Sequence, residues 1–347
     1  MEYWVFCGLL LALFLYGMRF EKVDGSQKDM LERFNNLRGI FALLIVIGHC
    51  SMRFEKEVLP FLLIHKFNMT GVCFFLFISG WGLTYGYLER EKKTDGFIRR
   101  KIVSLLLISF ISSLIYYILN EMILHGNRNL LPICKFVLKN TNWYIWEIVF
   151  FYIVFYFCVR LNCKKCIVSI LFAAAFLICA AALALNWERA FWFSAFSFPF
   201  GAFVSRFWDK INNSFRKYKW LPVSVFMIGA VSTFSVILPQ DTVLGCIARN
   251  FFGIMAMSIL WIVSNYVKIE NRFLEFLKGI SLEIYLYQFT VMTALKIIFE
   301  RYELALNLYY VISVLIVLTL VCVVISRFDF VVKEKLCGNY FTIGRKR

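Results

Sequence analysis

The sequence lacks any polar stretch long enough to fold as a soluble domain. Charged residues make up only 17% of its 347 residues. The segments between its apolar runs reach about 18–21 residues, too few to bury a core of their own. Hydrophobic residues, in contrast, make up 61%, and the mean hydropathy is +0.72. One soluble core cannot bury that much apolar surface, so most of it must face lipid.

Familiar catalytic and cofactor motifs are also missing. The chain has no Gly-x-Ser-x-Gly elbow, Gly-rich phosphate loop, His-Glu-x-x-His or dinucleotide fingerprint, which leaves a serine acyl-enzyme and a metal mechanism without support. The eleven cysteines are odd in number and scattered, unlike a disulfide framework. A CxxC at 163–166 has no second pair or histidine beside it, which argues against a metal site.

What the sequence does have is a series of apolar segments of helical length. Eleven can be assigned, at roughly 2–18, 36–52, 69–88, 102–124, 143–161, 167–186, 191–208, 221–238, 245–267, 279–298 and 307–326. Several reach the 18 residues that a membrane span needs. The sequence therefore predicts an all-α polytopic membrane protein with about 10–11 transmembrane helices and no sizeable soluble domain. The first segment has neither a basic n-region nor a small-residue cleavage site, as in an uncleaved anchor.

The net charge of +16 is distributed unevenly between the two sides of these segments. If consecutive segments cross the membrane, 28 of the 38 basic residues fall on one side. The positive-inside rule makes that side cytoplasmic, with the N-terminus outside and the C-terminus inside a multi-pass cell-membrane protein. Topology and anionic lipid explain the charge, so nucleic acid is not expected as a partner.

One apolar segment carries a cation and an imidazole. Arg38 and His49 are eleven residues apart, about three helical turns, which places them on nearly the same face and roughly 16 Å apart along the axis. An ionisable residue at that depth is costly and is by default a functional candidate. The alternative is a packing histidine bonded to a neighbouring carbonyl. His65 and His125 are expected in outer loops, exposed to solvent.

Other polar groups accompany the predicted spans. Ser79 and Gly80 favour close helix approach, whatever the protein does. Glu147 follows an aromatic interfacial belt and is expected to need a partner or water. Glu283 and Tyr287 share a helix face, with Gln288 beside them. A basic cluster, Arg99, Arg100 and Lys101, borders the fourth segment and suits phosphate groups, although it could simply fix the topology.

These residues resemble the motifs of the integral-membrane acyltransferase-3 family over about residues 34–326. The matches are Leu37-Arg38-Gly39 with His49, Phe74 to Gly80, Phe97 to Lys101, Trp143-Tyr144 and Ser281 to Gln288. Two features depart from the family pattern. The second cation of its Arg-x-x-Arg pair is not matched cleanly, and Gln288 stands where its late motif has a histidine.

The resemblance implies a membrane-bound O-acyltransferase, most simply an O-acetyltransferase. Acetyl-CoA or another acyl-CoA would be the donor, without a metal, and a cell-surface or lipid-linked glycan hydroxyl the acceptor. The family's essential Arg and His map onto Arg38 and His49, and its donor-facing cations onto Arg99, Arg100 and Lys101. The expected organisation is an additional anchor at 1–20, a cytoplasmic linker at 21–35, the family domain at 36–326 and a basic tail at 327–347.

The residues beyond those motifs have weaker assignments. Glu147, Glu283, Tyr287, Gln288 and Ser79 are candidates for orienting groups or for the acceptor side. Two other classes of function remain open at this point. One is a carrier for a small solute or glycolipid, although the sequence has no paired discontinuous helices or inverted repeats. The other is a non-catalytic envelope subunit, in which His49 would be dispensable.

Overall fold

A computed structural model describes residues 1–23, 25–54, 56, 58–89, 94–124, 143–187, 190–218, 227, 229 and 242–337. Helices dominate these residues, and eight of the helical stretches are long and apolar enough to cross a membrane. The chain is therefore an all-α polytopic membrane protein, as predicted. The eighth predicted segment, 221–238, lies almost wholly outside the described residues, and so do His125 and residues 338–347 of the basic tail.

The first half of the described chain runs from an N-terminal helix to the fifth predicted segment. Its elements are α1 (Glu2–Leu15), β1 (Met18–Phe20), α2 (Gln27–Asn36), α3 (Arg38–Ser51), α4 (Leu59–Lys66), α5 (Asn68–Thr84), α6 (Ser104–Tyr117) and α7 (Trp143–Arg160). Wider π-helical turns at Tyr85–Glu89, Ile98–Val103 and Ile118–Leu124 extend α5 and both ends of α6.

The second half contains the longest helices. Its elements are α8 (Ile167–Ala184), α9 (Ala190–Phe193), α10 (Ser197–Arg206), α11 (Trp208–Tyr218), α12 (Val243–Ser264), β2 (Val267–Ile269), α13 (Arg272–Gly279), α14 (Ser281–Arg301) and α15 (Leu308–Cys337). The predicted seventh segment, 191–208, is thus divided between α9 and the ten-residue α10.

Two stretches expected to be loops contain helices. Ser26 caps α2, accepting a hydrogen bond from the Asp29 amide, so a helix begins within the stretch assigned as a linker. Between the second and third predicted segments, α4 packs against α3. Phe61 of α4 is fully buried and contacts the rings of Tyr3 and Phe6 in α1. His65 is therefore in a packed helix and only partly exposed, not in a solvated loop.

Helix α3 lies at the centre of the packing that positions its polar side chains. It contacts α4, α5, α13, α14 and α15. Gly39 allows α13 to approach closely, because a Cβ there would collide with the Leu277 side chain. Gly48 does the same for the Asn68 amide at the start of α5. Both ends of α3 are thereby held against neighbouring helices.

A two-stranded antiparallel sheet joins the N-terminal part of the chain to its last third. β1 pairs with β2, with Arg19 opposite Lys268. Arg33 of α2 is buried beside this sheet and forms ion pairs with Asp29 at 3.1 Å and Glu21 at 3.3 Å. Its guanidinium also donates to the Glu21 carbonyl. At the end of β2, the Lys268 ammonium lowers the pKa of the Glu270 carboxyl.

Candidate active site

Arg38 and His49 lie at opposite ends of the same helix, α3. Arg38 is its first residue and His49 stands in its last turn. The eleven intervening steps correspond to a rise of roughly 16 Å. Both side chains are partly exposed, which is unusual for α3, because most of its other residues are buried. The helix therefore presents two ionisable groups at different depths of the membrane.

At the His49 end, a hydrogen-bonded chain connects α3 to α14. The ring nitrogen Nδ1 of His49 lies 2.9 Å from Oε1 of Gln288. Nε2 of Gln288 donates to the Tyr285 carbonyl at 2.9 Å, which fixes the orientation of the amide. Oε1 can then only accept, so Nδ1 of His49 must carry the proton. A neutral His49 consequently has its lone pair on Nε2, the form that a general base requires.

Gln288 itself is fully buried, and Phe289 packs beside the imidazole with ring centroids 5.0 Å apart. The ring therefore has contacts that hold it in one plane as well as a fixed tautomer. The structure brings the α3 histidine together with the late Ser281–Gln288 motif. Gln288 orients His49 and has no acid–base capacity of its own.

At the Arg38 end lies a cavity of about 430 Å³, a volume typical of small-molecule sites. Among the described residues, three cations line it, Arg38, Arg100 and Lys101, and no acidic residue does. The Nε of Arg38 is buried and has no hydrogen-bond partner in the part of the chain that the structure describes. Such a site favours an anionic ligand, since guanidinium groups bind phosphates bidentately.

The walls of this cavity are rich in hydroxyl groups and apolar surface. Hydroxyl groups come from residues on α5, α6, α7 and α14 and the turns beside them, namely Ser79, Ser104, Ser281, Tyr87, Tyr144, Tyr152 and Tyr285. The Tyr144 and Tyr285 rings meet edge to face, with centroids 5.1 Å apart. Ser79 shares a hydrogen bond with Tyr152. A ligand with both a charged and an apolar portion would match this lining.

The predicted basic cluster is divided by the structure. Arg100 and Lys101 line the cavity, whereas Arg99 is exposed and does not. Arg100 donates to the Asp95 carbonyl and to the Tyr87 hydroxyl, so its guanidinium is held at the cavity wall. Arg90, the first cation of the same loop, lies outside the described residues.

His49 and Gln288 do not line the cavity. The two parts of the site are connected through α14, because Tyr285 is both a cavity-lining residue and the backbone acceptor for Gln288. Tyr285 precedes Gln288 by three residues, just under one helical turn. Tyr285 therefore belongs to both parts of the site: the residue lines the basic cavity, and its backbone carbonyl holds the amide that orients His49.

The remaining candidate residues lie outside both the basic cavity and the surroundings of His49. Glu147 is 1% exposed and accepts a hydrogen bond from Ser194 at 3.3 Å, while its Oε1 has no partner among the described residues. Glu283 and Tyr287 are also buried, and they lie near Asp329 of α15. None of these three lines the cavity or contacts His49.

Sequence reasoning did not single out several residues that the structure places at the site. Asn35 and Tyr152 line the cavity, and Arg53 lies beyond His49 where the chain leaves α3. The chain is rich in aromatic residues and contains 17 tyrosines. No sequence signal therefore separates a cavity-lining tyrosine from an interfacial one.

Comparison with known proteins agrees with this arrangement. A family model described as an acyltransferase domain, that of the acyltransferase-3 family, matches residues 31–327. No curated protein and no solved structure matches the chain. The matched range includes both ends of α3, the basic turn before α6 and the oriented Gln288.

Proposed function

Because the chain belongs to the acyltransferase-3 family and is a membrane acyltransferase, we propose that it carries an acetyl group from acyl-CoA to a glycan hydroxyl. The acceptor is a cell-surface or lipid-linked glycan, and the donor enters from the cytoplasm. One observation carries the proposal: α3 holds a cation in a basic cavity at one end and a histidine with a fixed tautomer at the other.

Acyl-CoA fits the basic cavity chemically. Its phosphates would contact Arg38, Arg100 and Lys101, and its uncharged pantetheine arm would lie along the tyrosine and apolar walls. The extended arm measures on the order of 15 Å, comparable to the rise of roughly 16 Å between Arg38 and His49. The thioester passes Tyr285 to reach the imidazole.

At the far end, His49 acts as the general base. Its Nε2 takes the proton from the acceptor hydroxyl, and the oxygen attacks the thioester carbonyl carbon. When the carbon–sulfur bond breaks, the CoA sulfur leaves and receives the proton from His49. The products are the ester and free CoA. Gln288 stabilises the imidazolium that forms in between, because its Oε1 accepts from the protonated Nδ1.

Replacing His49 tests the proposal. Membranes containing the wild-type protein, His49→Ala or His49→Gln are supplied with radiolabelled acetyl-CoA, and label in the glycan is counted. General base catalysis contributes about 10²–10⁴-fold, so both variants should lose at least about a hundredfold in rate. Equal labelling by wild type and variants, at equal protein abundance, would remove His49 from the mechanism and contradict the proposal.

A further inference from the structure

Arg53 lies just past the end of α3, four residues beyond His49. Its Nη2 donates to the Thr293 hydroxyl at 3.3 Å and its Nη1 to the Tyr310 hydroxyl at 3.5 Å. Thr293 of α14 is 6% exposed, and Tyr310 of α15 is fully buried. The guanidinium is therefore turned inward between two helices, whereas an arginine that only anchors a helix extends outward to the headgroups.

This cation has no anionic partner among the residues that the structure describes. Two hydroxyl groups orient the guanidinium without neutralising it. A partly buried charge without a counter-charge is costly, and in a membrane protein it marks a ligand pathway or site. Arg53 is close enough to influence His49 electrostatically, which places the charge next to the proposed base.

Two further polar groups near His49 have unused hydrogen-bonding capacity. Oδ1 of Asn68 and Nδ1 of His65 are buried without a partner in the described part of the chain. Asn68 donates to the Ile45 carbonyl at 3.2 Å, and its amide packs on Gly48, the neighbour of His49. His65 also acts electrostatically on His49. A cation, an amide oxygen and an imidazole therefore lie in the neighbourhood of His49, at the end of α3 opposite Arg38.

We infer that Arg53 and His65 form an acceptor subsite for an anionic group carried by the acceptor, a carboxylate or a phosphate, while Oδ1 of Asn68 accepts a hydrogen bond from a hydroxyl of the same acceptor. The inference rests on the proposed function and specifies its substrate class as an acidic glycan or glycan phospholipid. The guanidinium binds either anion through charge-assisted hydrogen bonds. Binding there fixes the acceptor about one helical turn from His49, so that a neighbouring hydroxyl faces Nε2.

Binding of three matched probes, measured without any acyl donor, tests the subsite. The purified full-length protein in nanodiscs of zwitterionic lipid is titrated with octyl β-glucoside, octyl β-glucuronide and glucose 1-(octyl phosphate). A charge-assisted hydrogen bond corresponds to about a tenfold or larger change in Kd. At least one acidic probe should therefore bind about tenfold more tightly than the glucoside, and the preferred acid identifies the group as carboxylate or phosphate.

Three variants make the test specific. Arg53→Gln should bind all three probes with the affinity of the neutral one, and Arg53→Lys should keep part of the discrimination. Lys66→Gln removes an exposed cation at the end of α4 and should leave the discrimination unchanged. Equal binding of the three probes by wild type, or full discrimination by Arg53→Gln, would overturn the subsite.

The preference for an acidic probe does not depend on whether His49 is the general base. His49→Ala should retain the preference for an acidic probe while losing acetyl transfer. If His49→Ala transfers acetyl normally but Arg53→Gln loses the preference, the proposed mechanism fails and the anionic subsite stands. If His49→Ala loses transfer but wild type shows no preference, the subsite fails and the mechanism stands.

Discussion

The hydrogen-bonded chain from His49 through Gln288 to the Tyr285 carbonyl determines what the imidazole can do. A histidine that merely packed between helices would need only one satisfied nitrogen. Here the amide of Gln288 is itself fixed by a backbone carbonyl, so it dictates which nitrogen of His49 is protonated. This makes Gln288 a positioning residue in the proposed mechanism.

Substitution of Gln288 should affect turnover more than donor binding. Gln288→Met removes the acceptor for Nδ1–H and leaves a buried polar group unpaired, a cost of about 1–3 kcal/mol. We expect kcat to fall about tenfold or more, with an unchanged KM for acetyl-CoA. Gln288→His should retain much of the activity, since an imidazole nitrogen can also accept from Nδ1–H. Steady-state kinetics on purified protein measure both parameters, and equal kcat for Gln288→Met and wild type would contradict the role.

Because only part of the basic cluster lines the cavity, two neighbouring substitutions form a matched test of the donor site. Arg100→Gln removes a cation from the cavity wall, whereas Arg99→Gln removes the neighbouring exposed one. A lost charged hydrogen bond to phosphate should raise the KM for acetyl-CoA about tenfold in Arg100→Gln. Arg99→Gln should behave as wild type. An equal effect of both substitutions would indicate only a general surface charge, and the donor assignment would fail.

For individual residues, the sequence indicated which side chains are candidates for the site but not which of them contact each other. Spacing and the resemblance located Arg38, His49 and Gln288, because helical periodicity makes the depth of a residue predictable. Neither could show that Gln288 bonds to His49, since the two are 239 residues apart. Arg53 was missed for the same reason: its significance comes from Thr293 and Tyr310 on distant helices.

At the scale of single elements, α5 and α10 cross with their backbones in close contact. Gly80 lies against the Phe198 carbonyl, and Gly201 lies against the Phe77 carbonyl. Without a Cβ at either position the two backbones can touch. Close packing by Gly80 was expected from its Ser-Gly pair, and the structure confirms it. This crossing holds α5, and with it Ser79, at the cavity.

Enlarging that glycine should destabilise the protein. A side chain in Gly80→Val would collide with the backbone of α10, and overpacking of this kind costs about 1–3 kcal/mol. We expect a lower apparent unfolding temperature in detergent, followed by tryptophan fluorescence. Gly82→Ala is the control on the same helix, because no atom lies within 4 Å of the added methyl group. Equal stability of the two variants would contradict the packing described here.

The sequence also shows where predictions of elements fail. Length and hydropathy identified the long spans, whose apolar surface requires lipid. The same criteria left α2 and α4 as connecting segments. α2 is polar, and ion pairs of the buried Arg33 with Asp29 and Glu21 stabilise it beside the two-stranded sheet. α4 is short, and it exists because Phe61 finds a pocket against α1, a tertiary contact that no local pattern contains.

For the whole molecule, the proposed mechanism places the acyl donor and the glycan acceptor at opposite ends of α3. The basic cavity with Arg38 lies at the end that charge asymmetry predicts to be cytoplasmic, and His49 with Arg53 lies toward the other. Acetyl-CoA would then be used from one face of the membrane only. In this arrangement a single helix carries both Arg38 and His49, at a separation close to the length of the pantetheine arm.

Sidedness of donor use tests this central claim most directly. Sealed membrane vesicles of both orientations, from cells producing the wild-type protein or His49→Ala, are supplied externally with radiolabelled acetyl-CoA, and label in the glycan is counted. We predict labelling only in vesicles whose cytoplasmic face is outward, and only with His49 present. Labelling by vesicles of the opposite orientation, or equal labelling by His49→Ala, would contradict the account.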